Sequence, residues 1–154
     1  MGRELARRGV GLVYGGGNVG LMGAVADAAL AAGGEAIGVI PRVLVDKEVD
    51  HRGLTQLHVV DSMHERKALM AELSDAFLAL PGGIGTFEEL CEALAWSKLG
   101  IHGKACGVLN VAGYYDPLLA MMDHAVSEGF FAPEDRALLI AESDPARLIE
   151  RLLG

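Results

Sequence analysis

The apolar and polar positions along the chain follow two alternating patterns, one typical of buried strands and one typical of helices. Short apolar runs, the length of buried strands, occur at 10–14, 35–40, 57–60, 76–80, 104–110 and 137–141. Segments with helical spacing lie at 2–9, 24–32, 63–73, 86–100 and 118–127, and a last one runs from Pro145 to 153. Strands that alternate with helices through short connections predict an α/β fold: a doubly wound parallel sheet with helices on both faces.

The most informative junction between a strand and a helix follows the apolar run at 76–80. Pro81, Gly82 and Gly83 stop the run, and helical spacing resumes at Thr86. We expect Thr86 to be the N-cap, with Glu89 completing a capping box. Backbone N–H groups and the helix dipole would then stabilise a phosphate at this junction, unless it is only a well-capped turn. Glu88 adds a carboxylate beside the anion site, which favours a phosphorylated substrate over a simple anion.

A second glycine-rich junction follows the strand at 10–14. Gly15, Gly17 and Gly20 formally match a dinucleotide fingerprint, but about 20 residues on, the chain has Gly38–Pro41 instead of an acidic residue. We therefore interpret the loop Gly15-Gly16-Gly17 as a close-approach loop for a mononucleotide or a sugar phosphate. The alternative is that these glycines only permit tight packing of a helix on a strand.

A third junction precedes the helix that starts at residue 63. Ser62 is predicted to cap it, and Arg66 and Lys67 in its first turn oppose the helix dipole. Anion binding would explain that placement, and neutralisation by Glu65 with Glu72 is the alternative. The predicted apolar face of this helix comprises Met63, Leu69, Met70 and Leu73.

The polar segment 42–53 is the longest predicted loop, either a ligand-contacting loop or a solvated surface. All these junctions lie at the carboxyl ends of predicted strands, where ligands bind in parallel sheets, so they can share one pocket.

Composition and charge narrow the classes of partner. The 154 residues suit one domain, 1–154, and a hydrophobic fraction of 51% can form a core. A net charge of -8 and only 5% aromatic residues argue against a nucleic acid polymer as partner. We expect no metal site, because Cys91 and Cys106 lack ligand spacing, and no membrane span, because no apolar run is long enough. The N-terminus lacks a signal-peptide pattern, so we expect a cytoplasmic protein.

The candidate side chains favour cleavage at an anomeric carbon. The sequence offers no serine or cysteine nucleophile with a histidine partner, and no lysine follows the glycines as in a P-loop. A carboxylate can stabilise an oxocarbenium ion and orient a water molecule, while a proton donor assists the leaving group.

Three motifs occur in order along the chain: Tyr14–Gly23 around the triple glycine, Met63–Lys67, and Pro81–Glu89. Together they resemble the motifs of the LOG (LONELY GUY) family of cytokinin riboside 5′-monophosphate phosphoribohydrolases. The resemblance covers essentially the whole chain. It implies a Rossmann-like fold and hydrolysis of an N6-modified adenosine monophosphate, or AMP itself, to free base and ribose 5-phosphate. It also implies a homodimer with the pocket near the subunit contact, and no cofactor.

The resemblance implies roles for particular residues. Arg66 with Glu89 or Glu88 would be catalytic, and Glu88 is the better candidate if Glu89 is engaged in a capping box. Residues implied to bind the nucleotide are Gly15, Gly16, Gly17, Glu48, Lys67, Gly82, Gly83, Ile84, Gly85 and Thr86.

Two departures from the family pattern and one rival function accompany this interpretation. Family members usually have a further strand before the helix at 2–9; either the start is truncated or misassigned, or the edge of the pocket is incomplete. Ala95 stands where the family often has threonine.

Members often carry the label lysine decarboxylase, but neither Lys98 nor Lys104 lies in a recognisable pyridoxal phosphate setting. The rival function is a non-catalytic nucleotide or molybdenum-cofactor carrier with a similar loop.

Overall fold

Each half of the chain forms its own three-stranded parallel sheet. The structure, a computed structural model, describes residues 1–45 and 53–154. The chain divides into two compact units, Met1–Ser74 and Asp75–Gly154. Glu48 and most of the predicted 42–53 loop therefore lie outside the described residues.

The N-terminal unit contains strands β1 (Leu12–Tyr14), β2 (Ala36–Pro41) and β3 (Gln56–Val60), in the order β1-β2-β3. Its helices are α1 (Gly2–Arg7), α2 (Gly20–Ala31), α3 (Arg42–Val45) and α4 (Met63–Leu73). Tyr14, Ala26 and Ala36 form a small buried cluster against Leu12, Leu30 and Leu54. This packing holds α2 on the strands that precede and follow it.

The C-terminal unit contains β4 (Ala76–Ala79), β5 (Ala105–Leu109) and β6 (Leu139–Glu142), in the order β4-β5-β6. Its helices are α5 (Ile84–Lys98), α6 (Asp116–Ser127), α7 (Pro133–Arg136) and α8 (Pro145–Leu153), with a 3₁₀ turn at Val111–Gly113. Asp144 caps α8, because its Oδ1 accepts the Arg147 N–H at 2.9 Å. Leu148 and Leu152 of α8 pack on Gly107 of β5, where a Cβ would lie 2.9 and 3.1 Å from their methyl groups.

The predicted α/β class with parallel strands is confirmed. In each unit the three parallel strands pair in their order along the chain. Gly9 and Gly33 follow the ends of α1 and α2 with φ of +68° and +79°, as helix-terminating glycines do. Among the described residues, no helix combines the length and the apolar character that crossing a bilayer requires.

Several features of the helices differ from the sequence prediction. Helix α2 begins at Gly20, four residues before the predicted start at 24, because the glycines at 20 and 23 enter its first turn. Residues Arg42–Val45, predicted as loop, form the short helix α3. On α4 the predicted apolar face is only partly covered: Leu69 and Met70 are half-buried, Met63 and Leu73 are exposed, and the buried residue is Arg66.

Candidate active site

The start of α4 is fixed by a reciprocal pair of side-chain caps. Ser62 Oγ accepts the Glu65 N–H at 3.1 Å, which confirms Ser62 as the N-cap. Glu65 Oε2 accepts the Asp61 N–H at 2.8 Å. Because these bonds define where the first turn begins, they also define the direction in which Arg66, the next residue, projects.

Arg66 is a buried arginine held against the first glycine-rich loop. The residue is only 7% exposed, and its Nη2 donates to the Gly15 carbonyl oxygen at 3.1 Å. Nη1 lies 3.8 Å from the Met63 sulfur, a weak acceptor. Nε is buried and has no hydrogen-bond partner among the described residues. A buried guanidinium is stable only when its charge is compensated, so this side chain retains capacity to bind an anion.

Two of the loop's glycines are required by packing within the protein. A Cβ on Gly15 would lie 1.9 Å from Arg66 Nη2 and 3.0 Å from its Cζ. Gly16 has φ of +79°, and its Cα lies against Gly38, whose own Cβ would be 2.9 Å from it. Gly17 is buried as well. Packing against Arg66 and against Gly38 of β2 thus accounts for Gly15 and Gly16. Their contact with a ligand stays a prediction.

The second loop leads into α5 differently from the prediction. The helix begins at Ile84 with Gly83 as N-cap in an extended conformation, so Thr86 lies inside the first turn. The predicted capping box between Thr86 and Glu89 is therefore wrong. The physical reason lies at Gly82, where a Cβ would be only 2.2 Å from Thr86 Oγ1. The threonine packs on the bare glycine, and glycine is itself an acceptable N-cap.

The N-terminus of α5 is open and lacks negative charge. Its first turn contains no acidic residue, and no side chain of the described residues caps it. Gly83, Ile84 and Gly85 are exposed, and a Cβ on either glycine would meet no described atom within 4 Å. The first N–H groups of a helix have no intrahelical acceptor and carry the positive end of its dipole. This end of α5 can therefore receive an anion such as a phosphate.

The two glutamates lie in the next turn of the same helix. Glu88 is exposed and Glu89 is partly buried, and both make contacts in the structure. Since Glu89 does not belong to a capping box, the reason for preferring Glu88 as the chemical group disappears. Lys67, partly buried, follows Arg66 on α4. The roles of these side chains stay predictions.

The sequence interpretation missed two tyrosines that hold the second loop. Tyr115 Oη donates to the Leu80 carbonyl oxygen at 2.5 Å, and Tyr114 Oη donates to the Gly82 carbonyl oxygen at 2.5 Å. Asn110 Oδ1 accepts the Tyr115 N–H at 2.7 Å and so orients the pair. Burial raises the pKa of Tyr115 to about 12, with a further contribution from Tyr114. A signal was available, since adjacent tyrosines are conspicuous in a chain with three tyrosines.

No group of three or more histidine, cysteine, aspartate or glutamate side chains within 1–45 and 53–154 could hold a metal ion.

Comparison with known proteins identifies the relatives of the chain. A family model described as "Possible lysine decarboxylase" matches residues 22–152. A cytokinin riboside 5′-monophosphate phosphoribohydrolase of Rhodococcoides fascians is 56% identical over 145 residues, which are 94% of this chain and 73% of the relative. A probable enzyme of the same name from Oryza sativa subsp. japonica is 54% identical over 152 residues, 99% of this chain and 67% of the relative.

One solved structure and one further relative are also similar to the chain. The molybdenum cofactor binding protein of the phototrophic bacterium Rippkaea orientalis has a TM-score of 0.69 and 24% identity, covering 97% of this chain and 80% of that chain. This likeness shows a shared fold. A cytokinin riboside 5′-monophosphate phosphoribohydrolase of Arabidopsis thaliana is 49% identical over 99% of this chain and 67% of its own length. With the family model matching most of the chain and relatives near half-identical along it, the chain belongs to the LOG family.

Proposed function

We propose that the chain hydrolyses the N-glycosidic bond of a cytokinin riboside 5′-monophosphate, or of AMP, to free base and ribose 5-phosphate. The observation that carries the proposal is the open N-terminus of α5, with Glu88 and Glu89 one turn further along the same helix. Relatives that carry this activity in their names are 49% to 56% identical to the chain. They support the substrate class, and the geometry of α5 supports the way a phosphorylated sugar is held.

In the proposed reaction, different groups of the protein act on the 5′-phosphate and on the C1′ atom of the substrate. The N–H groups of Gly83, Ile84 and Gly85 bind the 5′-phosphate, as helix N-termini bind anions. The C1′–N bond then breaks, its electron pair goes to the base, and C1′ develops oxocarbenium character. Glu88 or Glu89 stabilises that charge and orients the water whose oxygen bonds to C1′. The proton released by the water balances the one that the departing base takes up.

Arg66 is the proposed cationic catalytic residue, as the family resemblance implies. Its buried guanidinium retains Nε as a donor without a partner among the described residues. Lys67 and Glu48, the latter outside the described residues, are proposed to contact the nucleotide, as the family resemblance implies. Gly15, Gly16 and Gly17 are proposed to bind the nucleotide, as the family resemblance implies, and the Gly15 carbonyl oxygen accepts a hydrogen bond from the Arg66 guanidinium.

The test is release of free base from AMP and from isopentenyl-AMP, followed by chromatography. Glu88→Gln, Glu89→Gln and Arg66→Ala isolate the proposed groups, and we expect a loss of about 10² to 10³ in kcat for each essential one. Glu92→Gln removes the same charge from the same helix outside the proposed site and should keep wild-type activity. Tight nucleotide binding without any release of base would instead favour the carrier function.

The assembly and setting of the protein are further parts of the proposal. We expect a homodimer, which the family resemblance implies. Light scattering in solution tests the dimer. A single cooperative unfolding transition would support one domain, 1–154, and the cytoplasmic location stays a prediction.

A further inference from the structure

We propose that Tyr114 is a positioning residue that sets the orientation of the Gly82–Gly83 peptide and so directs the Gly83 N–H toward the bound phosphate. The inference rests on the proposed function, because it concerns the same anion site at the start of α5. Tyr114 itself lies outside α5, immediately after the 3₁₀ turn at Val111–Gly113.

One hydrogen bond controls this peptide. Tyr114 Oη donates to the Gly82 carbonyl oxygen at 2.5 Å, and its ring packs edge-on against Tyr115, with centroids 5.1 Å apart at 90°. In a planar trans peptide the C=O and the following N–H point in opposite directions. Fixing the Gly82 carbonyl toward Tyr114 therefore directs the Gly83 N–H to the other side of the loop. That N–H belongs to the N-cap residue of α5.

The peptide needs such a restraint because glycines flank it on both sides. Rotation of this plane requires changes only in ψ of Gly82 and φ of Gly83, which glycine permits at little cost. A Cβ at Gly83 would meet no described atom within 4 Å, so packing around this residue offers little resistance. A hydrogen bond of this kind contributes about 0.5 to 1.5 kcal/mol. It would favour one orientation by roughly two- to tenfold.

The neighbouring tyrosine provides a matched control. Tyr115 Oη makes a hydrogen bond of the same length, 2.5 Å, to the Leu80 carbonyl oxygen. The residue after Leu80 is Pro81, which has no N–H, so this bond cannot direct a donor. Tyr115 is fully buried, and its hydroxyl serves only to hold the loop on the C-terminal unit. Comparing the loss of each hydroxyl therefore distinguishes the effect of orienting an N–H donor from the effect of supporting the loop.

The experiment compares Tyr114→Phe with Tyr115→Phe in the full chain. For Tyr114→Phe we expect KM for AMP and Kd for ribose 5-phosphate to rise by about two- to tenfold, with a smaller change in kcat and little change in Tm. For Tyr115→Phe we expect a lower Tm, with KM and Kd near the wild-type values. The ¹⁵N–¹H signal of Gly83 in the unliganded protein should move in Tyr114→Phe and stay in place in Tyr115→Phe.

Each outcome bears on one of the two proposals. If the wild-type protein is active but Tyr114→Phe keeps its KM and Kd, the inference is overturned while the proposed function stands. Equal rises in KM for both variants, in proportion to their loss of Tm, would reduce Tyr114 to structural support and overturn the inference too. If the wild-type protein neither releases base nor binds ribose 5-phosphate, the proposed function fails; an unmoved Gly83 signal would then overturn the orienting role independently.

Discussion

Gly15→Ala is the substitution that most directly tests whether the first glycine-rich loop exists to hold Arg66. The added methyl group would lie 1.9 Å from Arg66 Nη2 and 3.0 Å from Cζ, closer than nonbonded atoms approach. The guanidinium is buried, so it cannot move aside into solvent without opening the packing around it. We expect the side chain to leave its position and the 3.1 Å bond to the Gly15 carbonyl oxygen to break.

The magnitude follows from what Arg66 loses. A hydrogen bond to a charged group contributes about 1.5 to 3 kcal/mol, so the free energy of unfolding should fall by about that amount. If Arg66 stabilises charge in the transition state, its displacement should lower kcat by about 10² to 10³, as removal of one such group does. The loss of activity should therefore exceed what partial unfolding explains.

Urea unfolding and the base-release assay measure the two effects on the same preparation. Gly11→Ala is the matched control, because its Cβ would meet Glu35 at ordinary distances of 3.8 and 3.9 Å. This control should unfold and react like the wild-type protein. Wild-type kcat in Gly15→Ala would refute the reasoning, since it would mean either that Arg66 is not catalytic or that its place beneath the loop is immaterial.

The remaining predictions concern stability. Burial, with the negative charge of Asp27, raises the pKa of Tyr14 to about 12 from its ordinary 10.0, so the folded state holds its proton longer than the unfolded state. Stability present below pH 10 should be lost as pH rises toward 12, and urea titrations should show a shallower loss in Tyr14→Phe. At pH 8 that variant should be as stable as the wild-type protein or more so, because the buried hydroxyl has no partner among the described residues; a clear loss would contradict this. Ser62→Ala should lower the free energy of unfolding by about 1 kcal/mol in urea titrations by removing the α4 cap, and an unchanged midpoint would contradict it. Leu148→Ala on α8, fully buried, should lose about 2 to 5 kcal/mol in the same assay, whereas Leu153→Ala, exposed at 47%, should lose little; equal losses would contradict the packing described for α8.

Much of the fold is predictable because the spacing of the apolar residues agrees with the positions of the residues that begin and end helices. The parallel α/β class follows from alternating runs, and Gly9 and Gly33, just beyond the predicted helical segments, have the positive φ of helix-terminating glycines. Ser62 as the cap of α4 is likewise confirmed. In each case the deciding interaction lies within a few residues of sequence, where local rules apply.

The failures arise where a distant or competing contact decides. Thr86 and Glu89 satisfy the spacing of a capping box, but contact with Gly82 places Thr86 inside the helix instead. The tyrosine contacts span 32 and 35 residues between Tyr114 and Gly82 and between Tyr115 and Leu80, and no local pattern encodes them. The presence of glycine-rich loops was predictable, but which of their atoms face protein was not.

The face-to-face contact of Gly16 with Gly38 has a consequence for how this sequence can vary. Gly38 excludes a side chain partly because of the backbone of Gly16, since a Cβ on Gly38 would lie 2.9 Å from the Gly16 Cα. Gly16 excludes one because its φ is +79° and a Cβ there would lie 3.3 Å from Leu57. Glycine is the smallest residue, so no replacement at one site can create room for a methyl group at the other. In a saturation library the two sites should therefore be intolerant both singly and in pairs, with no double substitution rescuing either single one.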